Sequence, residues 1–231
     1  MLGHLIVPVA DLVLGACCAG CGTPALALCR TCGEAVAPDP AIRWPSPTPD
    51  RLRRPPVLPA SGGVNADVLR RVLIAWKEEG VTALTGVLAH HVAAAVLTLD
   101  TGRPLALVPV PTSARSRRAR GADLVDDLAR AARGHLVRLG VDVVTAPALA
   151  YRRVTEDQAG LGAAARAANL AGAFRVRPGR LPAGREIVVV DDILTTGSTV
   201  AEAVRALSET GRRPVGVAVA GATGRLSETA R

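Results

Sequence analysis

One segment constrains the architecture of this chain more than any other. Residues 187–199 read Ile-Val-Val-Val-Asp-Asp-Ile-Leu-Thr-Thr-Gly-Ser-Thr. Four consecutive aliphatics call for a strand buried on both faces, as in a parallel sheet covered by helices. The loop that follows opens a helix predicted over Ser198 to Glu209. Backbone N–H groups and hydroxyls of Thr195, Thr196, Gly197, Ser198 and Thr199 at a helix N-terminus suit a phosphate. Gly197 permits close backbone approach. Asp191 and Asp192 would repel a phosphate but accept hydrogen bonds from vicinal sugar hydroxyls. A phosphorylated sugar satisfies both halves. The segment is not a P-loop, which needs Gly-Lys-Ser/Thr, nor a dinucleotide loop, which needs Gly-x-Gly-x-x-Gly. The plainer alternative is a buried strand ending in a turn with a hydroxyl N-cap.

The chain around this segment alternates strands and helices. Strands are predicted at Leu105–Val110, Val141–Thr145, Ala148–Tyr151, Glu186–Val190 and Pro214–Ala220, with a helix over Ala122–Leu139. The pattern predicts an α/β fold, a parallel sheet flanked by helices, with its site at the carboxyl ends of the strands. Asn65–Leu99 has helical spacing, and Lys77-Glu78-Glu79-Gly80 closes its first helix. Pro38–Pro59 is dense in proline and reads as a linker along the surface, without regular helix. The expected division is an N-terminal segment over 1–37, the linker over 38–60, a helical segment over 61–102 and the α/β domain over 103–225.

Four of the five cysteines form a pair of pairs. Cys18-x2-Cys21 and Cys29-x2-Cys32 let the backbone turn so that both sulfurs of each pair converge on one metal. Gly20, Gly22 and Gly33 are expected to supply the permissive dihedrals. Four thiolates favour tetrahedral Zn²⁺ in a closed structural site. Free or disulfide-bonded thiols are the alternative, and lasting disulfides are rare in the cytoplasm.

Composition excludes several classes. The 231 residues carry a net charge of +8 and are 49% hydrophobic but only 2% aromatic, which rules out a disordered or repeat chain. Lys77 is the only lysine among 28 basic residues. The longest apolar stretch, Val81–Leu99, contains His90 and His91 and reads as a buried helix, so no membrane insertion is expected. Leu14-Gly-Ala-Cys17 resembles a lipoprotein cleavage box, but no basic residue precedes it, and Pro8 and Asp11 interrupt the apolar run. A cytoplasmic protein is expected. His4, His90, His91 and His135 have no partner at ligand spacing.

Residues 187–199 closely resemble the phosphoribosyl pyrophosphate (PRPP) signature of type I phosphoribosyltransferases. The order of further elements resembles the ComF family: the four-cysteine ribbon, the Lys-Glu-Glu-Gly helix end, Pro109-Val110-Pro111, and Arg120-Gly121. Arg152 with Arg153, Thr155 and Gln158, then Arg166, Asn169 and Ala173-Phe174, complete it. The similarity runs from about Cys18 to about Thr223. It departs from the family after Gly121, where Ala122, Asp123 and Leu124 replace the usual aromatic and Asn-Gln positions.

The resemblance implies roles. Asp191 and Asp192 hold the ribose hydroxyls, and Thr195 to Thr199 the 5′-phosphate. Thr112, Ser113, Arg115 and Arg120, with Arg117 and Arg118, lie where such enzymes bind pyrophosphate; a solvated basic loop or a DNA-backbone patch is the other reading. Arg153, Thr155 and Gln158 fall in the loop that closes over PRPP, although Gln158 equally suits a helix cap. Mg²⁺ would arrive with PRPP. The resemblance also implies an alternative without chemistry, a PRPP sensor or a DNA-uptake accessory that meets single-stranded DNA or competence proteins. Relatives of this type dimerise, which gives a homodimer as the expectation by analogy. The surplus arginine is expected where phosphates bind, in 115–120 and 152–166, and Lys77 is a candidate substrate or interdomain contact.

Overall fold

The computed structural model of the chain describes residues 16–99, 101–112, 123–152 and 170–223, with the backbone of 225–226. The elements, in chain order, are α1 (Arg30–Ala35), β1 (Ala41–Trp44), α2 (Asp50–Arg53), β2 (Leu58–Ser61), α3 (Asp67–Lys77) and α4 (Thr85–Thr98). They continue with β3 (Leu105–Pro109), α5 (Leu124–Arg138), β4 (Val143–Thr145), β5 (Leu149–Tyr151) and β6 (Phe174–Val176). β7 (Glu186–Leu194), α6 (Ser198–Ser208), β8 (Gly216–Ala222) and β9 (Arg225–Leu226) complete the series.

A seven-stranded sheet runs β4-β3-β7-β8-β2-β1-β9. Every pairing from β4 through to β2 is parallel, and β1 and β9 add an antiparallel edge. Side chains of β7 alternate between two cores, as the two-residue strand period demands. Val188 and Val190 face Leu73, Trp76, Leu88 and Leu128 of α3, α4 and α5. Ile187 and Val189 face Leu52, Phe174, Val204 and Leu207 on the other side, where α6 lies. The predicted architecture is therefore the observed one, a mostly parallel sheet flanked by helices.

The proline-rich stretch departs from its expected course along the surface. It supplies β1 and β2, the short helix α2, and the fully buried Leu52 and Val57. Proline is tolerated because Pro59 lies beyond the β1 register, which ends at the Ile42–Ala60 pair. Arg43, also of this stretch, is buried, and its terminal nitrogens donate to the Asp39 carboxylate at 2.7 Å and the Asp39 carbonyl at 3.0 Å.

Two strands differ in reach or placement. β7 continues past Val190 to Leu194 because its ladder with β8 runs on to the Leu194–Ala222 pair. Asp191 and Asp192 therefore sit on the strand rather than after it. β5 pairs only with β6, as a two-stranded antiparallel unit beside the main sheet. Tyr151 and Phe174 meet edge-to-face in this unit with ring centroids 5.0 Å apart. No helix among the described residues is long and apolar enough to cross a membrane.

The β5–β6 unit is fastened to α6 by one buried carboxylate. Glu202 accepts the Phe174 N–H at 2.9 Å and the Arg205 guanidinium at 2.7 Å, and Arg205 donates onward to the Phe174 carbonyl at 2.9 Å. Glu202→Ala strands the Phe174 N–H and leaves Arg205 without its inner partner. It is expected to lower the free energy of unfolding by about 3 kcal/mol, read from urea denaturation, with Glu202→Gln recovering part of the loss.

Candidate functional site

The carboxyl ends of β3 and β7 lie side by side, and the Val110 N–H donates to the Val190 carbonyl at 2.9 Å. Asp191 and Asp192 occupy this end, both buried, at 8% and 4% exposure. Each carboxylate is fixed by a backbone N–H: Asp191 Oδ1 accepts from Asp192 N at 2.9 Å and Asp192 Oδ1 from Ile193 N at 2.8 Å. The remaining oxygen of Asp192, Oδ2, meets Lys77 Nζ at 2.6 Å. The only lysine of the chain thus comes from the end of α3 to neutralise the acidic pair.

Charge follows geometry. Burial and the neighbouring Asp192 push the Asp191 carboxyl up to about 8, although Lys77 pulls the other way. Burial works against the Lys77 charge, but Asp192 and Asp191 outweigh it and hold the ammonium above its ordinary value.

After β7 the chain turns through the hydroxyl loop. Gly197 is the N-cap of α6 with a left-handed φ of 74°, and no side chain caps the helix. The helix start is therefore left open to an anion. Thr195 is exposed, Thr196, Ser198 and Thr199 are half-buried, and Thr196 Oγ1 lies 3.0 Å from Ser198 Oγ. A Cβ on Gly197 would come within 3.0 Å of Pro45 and 3.3 Å of Pro49. Glycine is required there twice, for its dihedral and for the proline segment that covers it.

Thr112 stands at the end of β3, and its hydroxyl donates to Asp123 Oδ1 at 2.7 Å, the side chain that caps α5. Ser113, Arg115, Arg117, Arg118 and Arg120 themselves lie outside the described residues, as do Arg153, Thr155, Gln158, Arg166 and Asn169.

The second cluster is the cysteine ribbon. The sulfurs of Cys18, Cys21, Cys29 and Cys32 all lie within 4.8 Å of one another, with Cys21 and Cys29 at 3.6 Å. A tetrahedron with metal–sulfur bonds of about 2.3 Å has sulfurs roughly 3.8 Å apart, so the group fits a four-thiolate metal. Backbone N–H groups of Gly20 and Cys29 point at Cys18 Sγ from 3.3 and 3.2 Å, as in a metal knuckle. The Thr23 hydroxyl and N–H draw the Cys21 thiol down to about 6. The glycines divide their work otherwise than expected. Gly22 has a left-handed φ of 78°, Gly20 is needed because a Cβ would sit 2.6 Å from Cys32 Sγ, and Gly33 lies inside α1. Among the described residues no histidine joins the cluster: His90 stacks on His135 at 3.8 Å, and His91 is buried against the Val87 carbonyl.

Comparison with known proteins agrees with this geometry. The phosphoribosyl transferase domain profile matches residues 93–227. The DNA utilization protein YhgH of Escherichia coli K12 is 31% identical over 201 residues, covering 87% of this chain and 81% of its own. Its counterpart in Shigella flexneri is 30% identical over the same shares. The chain belongs to the ComF-type phosphoribosyl transferase family. In this ComF-type fold the Lys77–Asp192 pair and the proline cover over Gly197 are what sequence reasoning missed. Lys77 carried a signal, as a lone lysine in an arginine-rich chain; Pro45 and Pro49 carried none.

The raised Asp191 makes stability depend on pH. Between the ordinary carboxyl value near 4 and about 8, the folded chain keeps a proton that the unfolded chain has released. Stability of the ligand-free protein therefore falls as pH rises through that window, and the loss is complete above about 8. Asp191→Asn removes this slope. Urea midpoints measured from pH 5 to about 9 should decline in the wild type and change less in the variant.

Proposed function

We propose that the carboxyl end of the sheet binds Mg-PRPP, and that the bound sugar is set up for transfer of its phosphoribosyl group to a nitrogen acceptor with release of pyrophosphate. The observation that carries this reading is the buried acidic pair on β7 followed directly by an uncapped helix start. Asp191 and Asp192 take the ribose hydroxyls, and Thr195, Thr196, Gly197, Ser198 and Thr199 take the 5′-phosphate. Thr112, Ser113, Arg115 and Arg120 face the pyrophosphate, and Arg153, Thr155 and Gln158 close over it. Mg²⁺ would arrive with PRPP, chelated by its pyrophosphate and ribose oxygens, and would neutralise charge on the departing pyrophosphate. As the C1–oxygen bond breaks, the electron pair leaves with pyrophosphate, the arginines stabilise that charge, and the acceptor nitrogen attacks the opposite face. Binding of the ribose hydroxyls competes with Lys77 for Asp192.

A thermal-shift titration tests this ligand. Mg-PRPP at 100 times its Kd should stabilise the wild type by about 2.7 kcal/mol, a rise of several degrees in Tm, and leave Asp191→Ala/Asp192→Ala unmoved. A wild type that does not shift sinks the assignment.

The ribbon holds zinc in this reading, through Cys18, Cys21, Cys29 and Cys32, in the reducing cytoplasm where such thiols stay available. Purified protein should contain about one zinc per chain, lost together with several degrees of Tm in Cys18→Ser/Cys32→Ser. Metal-free protein of full stability rules it out.

A second reading rests on the name of the relatives, a DNA utilization protein. Here the protein binds single-stranded DNA or competence proteins and uses PRPP as a signal. Pyrophosphate release with a base or amine acceptor separates the two.

A further inference from the structure

A group of arginines lies at the end of the sheet opposite Asp191 and Asp192. Arg54 precedes β2, Arg103 precedes β3, Arg185 precedes β7, Arg213 precedes β8, and Arg138 ends the helix that leads into β4. These five strands are parallel neighbours, so their entering connections share one edge. At roughly 5 Å per strand the arginine row spans on the order of 20 Å.

The row lies on a shaped surface. An open depression of about 410 Å³ is lined by Arg103, Arg185, Arg212 and Glu186. A second of about 340 Å³, lined by Arg177, Leu181 and Thr210, shares Arg212 with it. Backbone carbonyls hold two of the guanidinium groups in place. Arg212 donates to Arg185 O at 2.9 Å and Pro182 O at 3.1 Å, and Arg213 donates to Arg51 O at 2.9 Å. Carboxylates offset little of the charge: Asp142 pairs with Arg185 at 2.7 Å and Glu186 with Arg103 at 3.7 Å. Among the described residues no carboxylate is within 4.0 Å of Arg177, Arg180, Arg212 or Arg213.

We propose that this arginine edge binds the phosphodiester backbone of a nucleic acid, at the end of the sheet away from the sugar-phosphate site. The proposal rests on the DNA reading above and gives it a location. A row of this width exceeds what one small anion can occupy, and guanidinium forks match phosphate oxygens two at a time. Neither depression has an aromatic lining residue, so bases are not stacked and recognition is by charge, independent of sequence. Because the two sites sit at opposite ends of the strands, nucleic acid and Mg-PRPP bind together rather than compete.

The test uses the full-length chain and a labelled oligothymidylate strand of about thirty nucleotides, with a duplex of equal length as the second arm. Fluorescence anisotropy is followed from about 50 to about 200 mM salt for the wild type and for Arg103→Gln/Arg177→Gln/Arg180→Gln, three exposed positions whose loss spares the carbonyl-bound arginines. The triple variant should bind the preferred arm roughly tenfold more weakly at low salt, and its plot of log affinity against log salt should flatten by about two units. Its thermal unfolding and its response to Mg-PRPP should match the wild type. A variant that binds DNA with wild-type affinity and slope overturns this location while leaving the DNA reading standing. A wild type that binds neither arm, or binds only phosphatidylserine vesicles, overturns both.

Discussion

The ion pair between Lys77 and Asp192, 2.6 Å long, joins the two parts of this chain. Two adjacent carboxylates buried on a parallel strand cannot both stay ionised in an apolar setting without a nearby cation. The strand cannot supply one, since its neighbours β3 and β8 are apolar along their whole length. The cation comes instead from α3, which the phosphoribosyl transferase domain match, beginning at residue 93, does not include. The same helix carries the cysteine ribbon, because Arg71 Nε donates to the Gly20 carbonyl at 2.5 Å and Val68 packs on Cys18 and Cys32. One eleven-residue helix therefore touches the cysteine cluster near its start and the acidic pair at its end.

That arrangement depends on close contact between α3, α4 and the strands beneath them. A Cβ on Gly221 of β8 would lie 2.9 Å from Leu73, and one on Gly62 would lie 2.3 Å from the His91 carbonyl. Small residues at these positions let the helices settle onto the sheet until Lys77 reaches its partner. On the opposite face the proline segment performs the matching task, with Pro45 and Pro49 over Gly197. The extra strands β1 and β2 are the continuation of that cover, and they tie it into the sheet beside β8.

The legible features were those with local causes. The aliphatic run before Asp191 required a buried strand, Gly197 and the hydroxyls required a turn into a helix, and the cysteine spacing required converging sulfurs. Each follows from dihedrals or periodicity within about a dozen residues. What stayed hidden depends on contacts distant in sequence. Nothing near Leu58-Pro59-Ala60-Ser61 announces a strand, because its pairing energy comes from β8, more than a hundred residues later. Nothing near Lys77 names Asp192. The arginine edge stayed hidden for the same reason: Arg54, Arg103, Arg185 and Arg213 are scattered in sequence and meet only once the strands are parallel.

The β5–β6 unit is anchored by contacts of the same long-range kind. Residues 153–169, with Arg153, Thr155 and Gln158, connect β5 to β6, so the hairpin is the base of that connection. Glu202 and Arg205 bolt the base to α6, whose first turn follows Gly197. The hydroxyl loop before α6 and the hairpin fastened farther along it thus share one helix of eleven residues. Thr112 and Asp123 are tied to each other in the same way at the start of α5.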